Sequence, residues 1–280
     1  QTIERVAPTN SRIMITGPSG AGKELAARAI HAQSGRANGP FVTVNAATIT
    51  PERMEIELFG TEMDGGERKV GALEEAHGGI LYLDEIADMP RETQNKILRV
   101  LVDQQFERVG GTKRVKVDVR IISSTAQNLE GMIAEGTFRE DLFHRLSVVP
   151  VHVPALASRR EDIPSLVEYF MTQIAEQAGI KPRKIGSDAM AVLQSHSWPG
   201  NIRQLRNVIE NLILFSNGGQ IEVDDLPAEL LDAPSEDIAI PIGVPLDQVE
   251  RKVIERTLVA AGGNRTRAAE ILGISRRTLL

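Results

Sequence analysis

The sequence predicts an α/β fold: a parallel sheet with flanking helices, then an α-helical unit of lid size, then a partial all-α helix-turn-helix. Three observations predict it. Through the first half, short apolar runs alternate with helical patterns, the signature of a sheet with helices on its faces. After Pro154 the strand-like runs stop and helical periodicity takes over. At the far end, two helical stretches are separated by Gly262-Gly263-Asn264.

The elements follow in chain order. Strands are predicted at Arg12–Thr16, Phe41–Val44, Ile80–Leu83, Val119–Ser123 and Val148–Val153, whose near-continuous apolar character suits parallel strands buried on both faces. Good helix formers fill Glu92–Gln105, with Ile97, Leu98, Leu101 and Val102 read as one face. Helices are predicted at Asp162–Ala178, Ser187–Ser197, Asn201–Phe215 and Asp224–Leu230, several opened by Ser, Asp or Asn caps. From Asp232 to Leu246 the composition turns to Pro, Ser, Gly and carboxylates, which reads as a linker. A helix from Asp247 to Ala261 and another over Thr266–Leu272 form the helix-turn-helix, and Ser275 reads as the cap of a third helix cut short at Leu280. The expected division is therefore 1–155 (nucleotide-binding α/β part), 156–231 (lid), 232–246 (linker) and 247–280 (truncated DNA-binding part).

The bulk numbers narrow the function classes. A chain of 280 residues has room for two or three small domains. No apolar run reaches membrane-spanning length and no secretory leader opens the chain. The chain has no cysteine, which fits the cytoplasm and excludes a disulfide framework or thiolate metal site. Its five histidines are scattered without ligand spacing and are read as structural. A net charge of −6 argues against nucleic-acid binding over the whole surface. The last segment differs: Arg265, Arg267, Arg276 and Arg277 stand against the single carboxylate Glu270, so DNA binding is expected there. The opening residues read as the middle of a helix, so the chain is expected to be an excised piece.

The chemistry-bearing pattern is Gly17-Pro18-Ser19-Gly20-Ala21-Gly22-Lys23-Glu24, between the apolar run Ile13-Met14-Ile15 and a helix-like run. Its glycines let backbone N–H groups turn toward phosphate oxygens. The following helix contributes its positive end and Lys23 a full charge. Glu24 stands where Ser or Thr usually holds Mg²⁺. The run Ile80-Leu81-Tyr82-Leu83-Asp84-Glu85 delivers two acids at a strand's carboxyl end, where open α/β sheets bind ligands. Asp84 can hold Mg²⁺, and Glu85 can orient and deprotonate an attacking water. Arg139 and Arg145, about two helical turns apart, can supply positive charge to a phosphoryl group. Taken alone, each is more often a surface ion-pair partner.

The set Gly17–Glu24, Asn45, Glu57-Leu58-Phe59-Gly60, Asp84-Glu85, Arg108-Val109-Gly110-Gly111, Phe138–Leu142 and Trp198–Arg203 resembles the AAA+ domain of bacterial enhancer-binding proteins. These are the NtrC-type activators that use ATP to remodel sigma-54 RNA polymerase, and within them the chain is most similar to a nitrogen-related two-component response regulator. The stretch from Gly262 to Leu279 resembles their Fis-type DNA-binding domain. In that family Lys-Glu at the loop end is normal. The resemblance implies an AAA+ P-loop fold with the first strand placed centrally. It assigns Lys23 to the phosphates of ATP, Asp84 to Mg²⁺, Glu85 to water activation and Asn45 to switching Glu85 in or out of position. Thr125 falls at the first sensor, Arg203 at the second, and Arg139 and Arg145 at arginine fingers acting across a subunit boundary. It also implies a palindromic DNA operator, a sensor kinase acting through a receiver domain outside these residues, and a homodimer or higher homo-oligomer.

The chain departs from that pattern in two places that bear on activity. The family's Gly-Ala-Phe-Thr-Gly-Ala loop, which touches sigma-54, has no counterpart in Thr61–Val70, a shorter charged interval without Phe. Thr125 is followed by Ala126 where the family has Asn, so a polar group is missing near the terminal phosphate. Two expectations stand side by side: a ring-forming Mg·ATPase that activates sigma-54 polymerase, and a DNA-binding regulator that responds to ATP occupancy with weak turnover.

Overall fold

The structure, a computed structural model, describes residues 2–63, 66–216, 218–231, 243–260 and 265–275. The chain divides into two compact units, Gln1–Pro227 and Ala228–Leu280.

The first unit is built on a five-stranded sheet: β1 (Ile13–Thr16), β2 (Phe41–Asn45), β3 (Ile80–Asp84), β4 (Arg120–Thr125) and β5 (Val149–His152). All neighbours are parallel and the order is β2-β3-β4-β1-β5. The five predicted strands are thus the five strands of the sheet. The first strand is interior but not central: β4 holds the middle and β1 lies one in from the β5 edge. Alternation of side chains sorts the apolar runs onto two faces. Met14, Leu81, Leu83 and Ile121 enter one core, with Ile97, Leu101 and Phe138. Ile13, Ile15, Ile80, Tyr82 and Ile122 enter the other, with Ala27 and Ile30 of the helix Lys23–Ala32. Both faces are covered, so unbroken hydrophobicity was the right strand signal.

Several predicted details are corrected. The helix after β3 spans Arg91–Asp103, and Val102 is 53% exposed while Val100 is buried. From Ile97, a step of five residues rotates Val102 well off the buried stripe, whereas three or four residues keep Val100 and Leu101 on it. In the lid the helices are Ile163–Ala178, Ser187–Ser195 and Asn201–Phe215, none with a side-chain cap. Asn201 lies inside its helix and spends its amide elsewhere. The predicted helix Asp224–Leu230 is divided: Val223–Asp225 is one 3-10 turn, and the α-helix Ala228–Leu231 starts after Pro227. The lid part is not wholly helical, since Lys184–Ile185 pairs in parallel with Gln220–Ile221.

Two small hairpins sit beside the main sheet. Thr61–Glu62 pairs with Arg68–Lys69, so the charged interval Thr61–Val70 closes as a short turn, with residues 64 and 65 outside the described residues. Gln105–Glu107 pairs with Arg114–Lys116. Arg108, 6% exposed, ties these pieces together: its Nε donates to Glu74 Oε1 at 2.7 Å, Nη2 to Glu74 Oε2 at 2.9 Å and Nη1 to Glu62 Oε2 at 3.1 Å.

In the second unit, the helices Leu246–Ala260 and Arg265–Leu272 pack together, with Ala268 and Ala269 buried. Of the predicted linker 232–246, residues 232–242 lie outside the described residues, as do the Gly262–Asn264 break and the third-helix start beyond Ser275. The linker's last residue, Leu246, already opens a helix.

Candidate nucleotide site

The glycine loop runs from the end of β1 into the helix Lys23–Ala32. Its tight path needs backbone conformations open to glycine: Gly17 has φ 154° and Gly20 φ 77°. A Cβ on Gly17 would approach the Val153 carbonyl oxygen to 2.3 Å, and one on Gly20 the Gly200 carbonyl oxygen to 2.5 Å. The loop is therefore packed against the end of β5 on one side and the start of a lid helix on the other.

Lys23 is 6% exposed. Its ammonium donates to the Gly17 and Pro18 carbonyls at 2.9 and 3.1 Å and lies 3.9 Å from Glu85 Oε1. Burial pushes its pKa below the ordinary lysine value; Glu85 and Asp84 partly offset this, and Arg203 adds to the lowering. Glu24, by contrast, is exposed and salt-bridged to Arg28 one turn on, at 2.8 Å. It behaves as a helix-surface residue.

Asp84 ends β3, and Glu85 follows in a left-handed conformation (φ 52°) that turns the chain into the 3-10 turn Ile86–Asp88. Asp84 Oδ1 accepts from Ser124 Oγ at 2.6 Å, and Tyr82 Oη lies 3.3 Å from the same oxygen. Tyr82 Oη donates to Ser124 Oγ at 2.8 Å. Burial, above all, raises the Tyr82 phenol above its ordinary value, so it remains protonated. Glu85 Oε2 receives the Ala126 N–H at 3.5 Å. Thr125, buried at the end of β4 beside Thr16, accepts from Gln127 N–H at 3.0 Å.

Asn45 is where the sequence put it, at the end of β2 beside Asp84. Its Nδ2 approaches Asp84 Oδ2 at 3.4 Å and its Oδ1 accepts from Ala47 N–H. Its side-chain contacts are thus with Asp84 and Ala47, not with Glu85.

The lid reaches this cluster through the start of Asn201–Phe215. Asn201, buried and left-handed (φ 51°), donates from Nδ2 to the Ser19 carbonyl at 3.1 Å and accepts the Leu156 N–H on Oδ1 at 2.8 Å. The Arg203 N–H donates to the Gly20 carbonyl at 3.3 Å, and its exposed side chain begins beside that glycine. Arg159, between β5 and the lid helices, donates from Nη2 to the Ala21 carbonyl at 2.6 Å. Just ahead of Asn201, Trp198 is 1% exposed, donates to the Leu193 carbonyl at 2.7 Å and packs edge-on against His196. The sequence motifs point to Arg203 but not to Asn201, Arg159, Tyr82 or Ser124. The polar Tyr and Ser inside apolar strands were the available signal.

The two finger candidates are not brought to this cluster. Arg139 holds Asp141 through Nε and Nη2 at 2.9 and 2.7 Å and also contacts Asn95. The Asp141 partnership raises the Arg139 pKa, and Arg139 lowers that of Asp141. Arg145 is exposed at the end of the helix Glu140–Leu146. In the second unit, Arg265 and Arg267 are exposed on their helix, and Arg276 and Arg277 lie outside the described residues. Among the described residues no helix is long and apolar enough to cross a membrane, and no group of three or more His, Cys, Asp or Glu could hold a metal ion.

Three family matches cover most of the chain: the "Sigma-54 interaction domain" over residues 1–152, the "AAA+ ATPase lid domain" over 157–239 and "Bacterial regulatory protein, Fis family" over 245–280. The nitrogen assimilation regulatory protein NtrX of Azorhizobium caulinodans is 56% identical over 99% of the chain and 64% of its own length. Crystal structures of NtrX from Brucella abortus match over the whole chain: the ADP complex at 74% identity and TM-score 0.78, the ATP complex at 75% and 0.76. The chain spans 65% and 64% of those two structures' chains.

Proposed function

The chain belongs to the sigma-54 interaction domain family, of the NtrC type and with the AAA+ fold, and from that premise we propose that it is an ATP-binding, DNA-binding transcriptional regulator of a nitrogen-related two-component system. The observation that carries this reading is the convergence of Lys23, Asp84 and Glu85 with a lid helix start on one glycine loop. The ATP and ADP complexes of the Brucella abortus relative support the choice of nucleotide.

The residues present fit ATP and Mg²⁺. Without side chains at Gly17 and Gly20 the loop can lie tight against Val153 and Gly200 and still turn its N–H groups toward phosphates, and Lys23 adds a buried cation held on the loop. Residues Gly17 to Glu24 would wrap the phosphates, Asp84 would hold Mg²⁺, and Thr125 and Arg203 would line the cleft from core and lid. When bound, Mg²⁺ neutralises charge on the phosphate oxygens. Glu85 would orient a water and take its proton, a role supported by the Lys23 and Ala126 N–H contacts that steady its carboxylate. Asn45, to act as a switch, must trade Asp84 for Glu85. Arg139 and Arg145 would serve a neighbouring subunit's site, and Arg139 must first leave Asp141. We assign 1–155 to the nucleotide-binding part, 156–231 to the lid and 247–280 to DNA binding, with Arg265, Arg267, Arg276 and Arg277 meeting a palindromic operator. A sensor kinase would act through a receiver domain, and the working form would be a cytoplasmic homodimer or larger homo-oligomer.

The short charged hairpin at Thr61–Val70 favours regulation by occupancy over sigma-54 contact, because it offers no aromatic tip to RNA polymerase. A fully active ATP-hydrolysing, sigma-54-dependent activator is the second reading, favoured by Glu85 held 3.9 Å from Lys23. Turnover measured against protein concentration, with and without promoter DNA, for the wild type and Glu85→Gln separates them. A weak rate that climbs with concentration and disappears in the variant is expected. A flat rate equal in both proteins excludes subunit-shared hydrolysis, and absence of ATP binding overturns the whole reading.

A further inference from the structure

Strand register brings together three oxygens that no single motif contains. Tyr82 and Asp84 are two residues apart on β3, so they share one face of the sheet. Tyr82 pairs with Ile122 on β4, which places Ser124, two residues on, beside Asp84 on the same face. The result is a directed chain. The Tyr82 hydroxyl, on a fully buried ring stacked against Phe41, donates to Ser124 Oγ at 2.8 Å, and Ser124 donates to Asp84 Oδ1 at 2.6 Å. Among the described residues, the second carboxylate oxygen is met by the long Asn45 contact at 3.4 Å.

We propose that Tyr82 and Ser124 are positioning residues for Asp84. Resting on the nucleotide reading above, this deepens it. A carboxylate at a strand end turns about its last torsion, which is broad and soft. Two hydroxyls, one from Asp84's own strand and one from the neighbouring β4, pin Oδ1 and leave Oδ2 as the less committed oxygen for a divalent cation. Ser124 has one proton and gives it to Asp84, so it needs a donor for its own lone pair, and Tyr82 supplies one. Supporting partners of this kind change metal affinity about 10–100-fold when removed.

The test uses Tyr82→Phe and Ser124→Ala, each deleting one hydroxyl with little change of shape. Affinity for a fluorescent ATP analogue is titrated with Mg²⁺ and separately measured in excess chelator, alongside thermal unfolding. The half-saturating Mg²⁺ concentration is expected to rise about 10-fold or more in both variants. Affinity in chelator should stay at the wild-type value. Tyr82 Oη also lies 3.3 Å from Asp84 Oδ1 and can donate there once Ser124 is gone, so the double variant should lose more than Ser124→Ala. Unchanged Mg²⁺ dependence in folded Tyr82→Phe overturns the proposal. So does an equal loss of affinity with and without Mg²⁺, which marks a packing role. A wild type that binds no nucleotide sinks the function proposed above instead, so the two failures are distinguishable.

Discussion

Lys23 is a charge the fold holds at a cost. Burial lowers its pKa, which means the folded protein disfavours the ammonium relative to the unfolded chain. That cost is full below the folded pKa and is relieved as pH rises from there toward 10.5. Lys23→Met should therefore fold at least as stably as the wild type at neutral pH, with the wild type gaining ground as pH climbs through the alkaline range. The same variant should lose about 10–100-fold in ATP affinity, the loss of one charged hydrogen-bonding group. Urea unfolding at several pH values and binding calorimetry check both parts. Lys23, Asp84 and Glu85 were legible in sequence because each sits beside its own glycine loop or apolar strand. Tyr82 and Ser124 were not, because their meeting depends on which strands are neighbours and in what register. Asn45 was legible as a position, while its partner, Asp84, was not.

Helices and strands carry a second set of consequences. Glu74, on the short helix Ala72–Glu75, is bound by two nitrogens of Arg108, which lowers its pKa. A carboxyl with a depressed folded pKa gives stability that is present above its unfolded value of 4.5 and is lost as pH falls through the folded one. Glu74→Gln leaves Arg108 buried without its main partner and should cost about 3–5 kcal/mol at pH 7. The gap from wild type should narrow below pH 4.5, as denaturant titrations at the two pH values would show. Gly20→Ala combines a left-handed backbone with overlap onto Gly200, so loop or lid must shift, at about 1–3 kcal/mol of stability and with weaker nucleotide binding. All five sheet strands were legible because burial on both faces leaves unbroken apolar runs. Helix detail was less so: the choice of Val100 over Val102 needs the phase of the buried stripe, and the break at Pro227 overrode a helical pattern. The absent caps have a similar origin, since Asn201 bonds the phosphate loop and the core–lid crossing rather than its own helix end.

At the scale of the molecule, the proposed nucleotide and DNA functions fall on separate compact units. Arg265→Ala should weaken binding to every DNA sequence alike, reduce the salt dependence by about one ion per site and leave ATP affinity unchanged. Salt-series binding to specific and non-specific duplexes checks this; a change confined to one sequence would make Arg265 a base reader instead. The basic tail proposed for DNA stands out by local charge against a net acidic chain, whereas the loop–lid contacts join residues about 180 positions apart, beyond any local pattern. Those contacts have one more consequence. The chain's single tryptophan, Trp198, is buried three residues before the amide that grips Ser19. Its indole is fixed inside the lid, on the Leu193 carbonyl and the His196 ring, three residues from the point where lid and loop meet. The protein thus carries a single unlabelled fluorophore beside the loop–lid contact, and a shift in its emission on adding ATP is the expected sign that this corner of the lid rearranges.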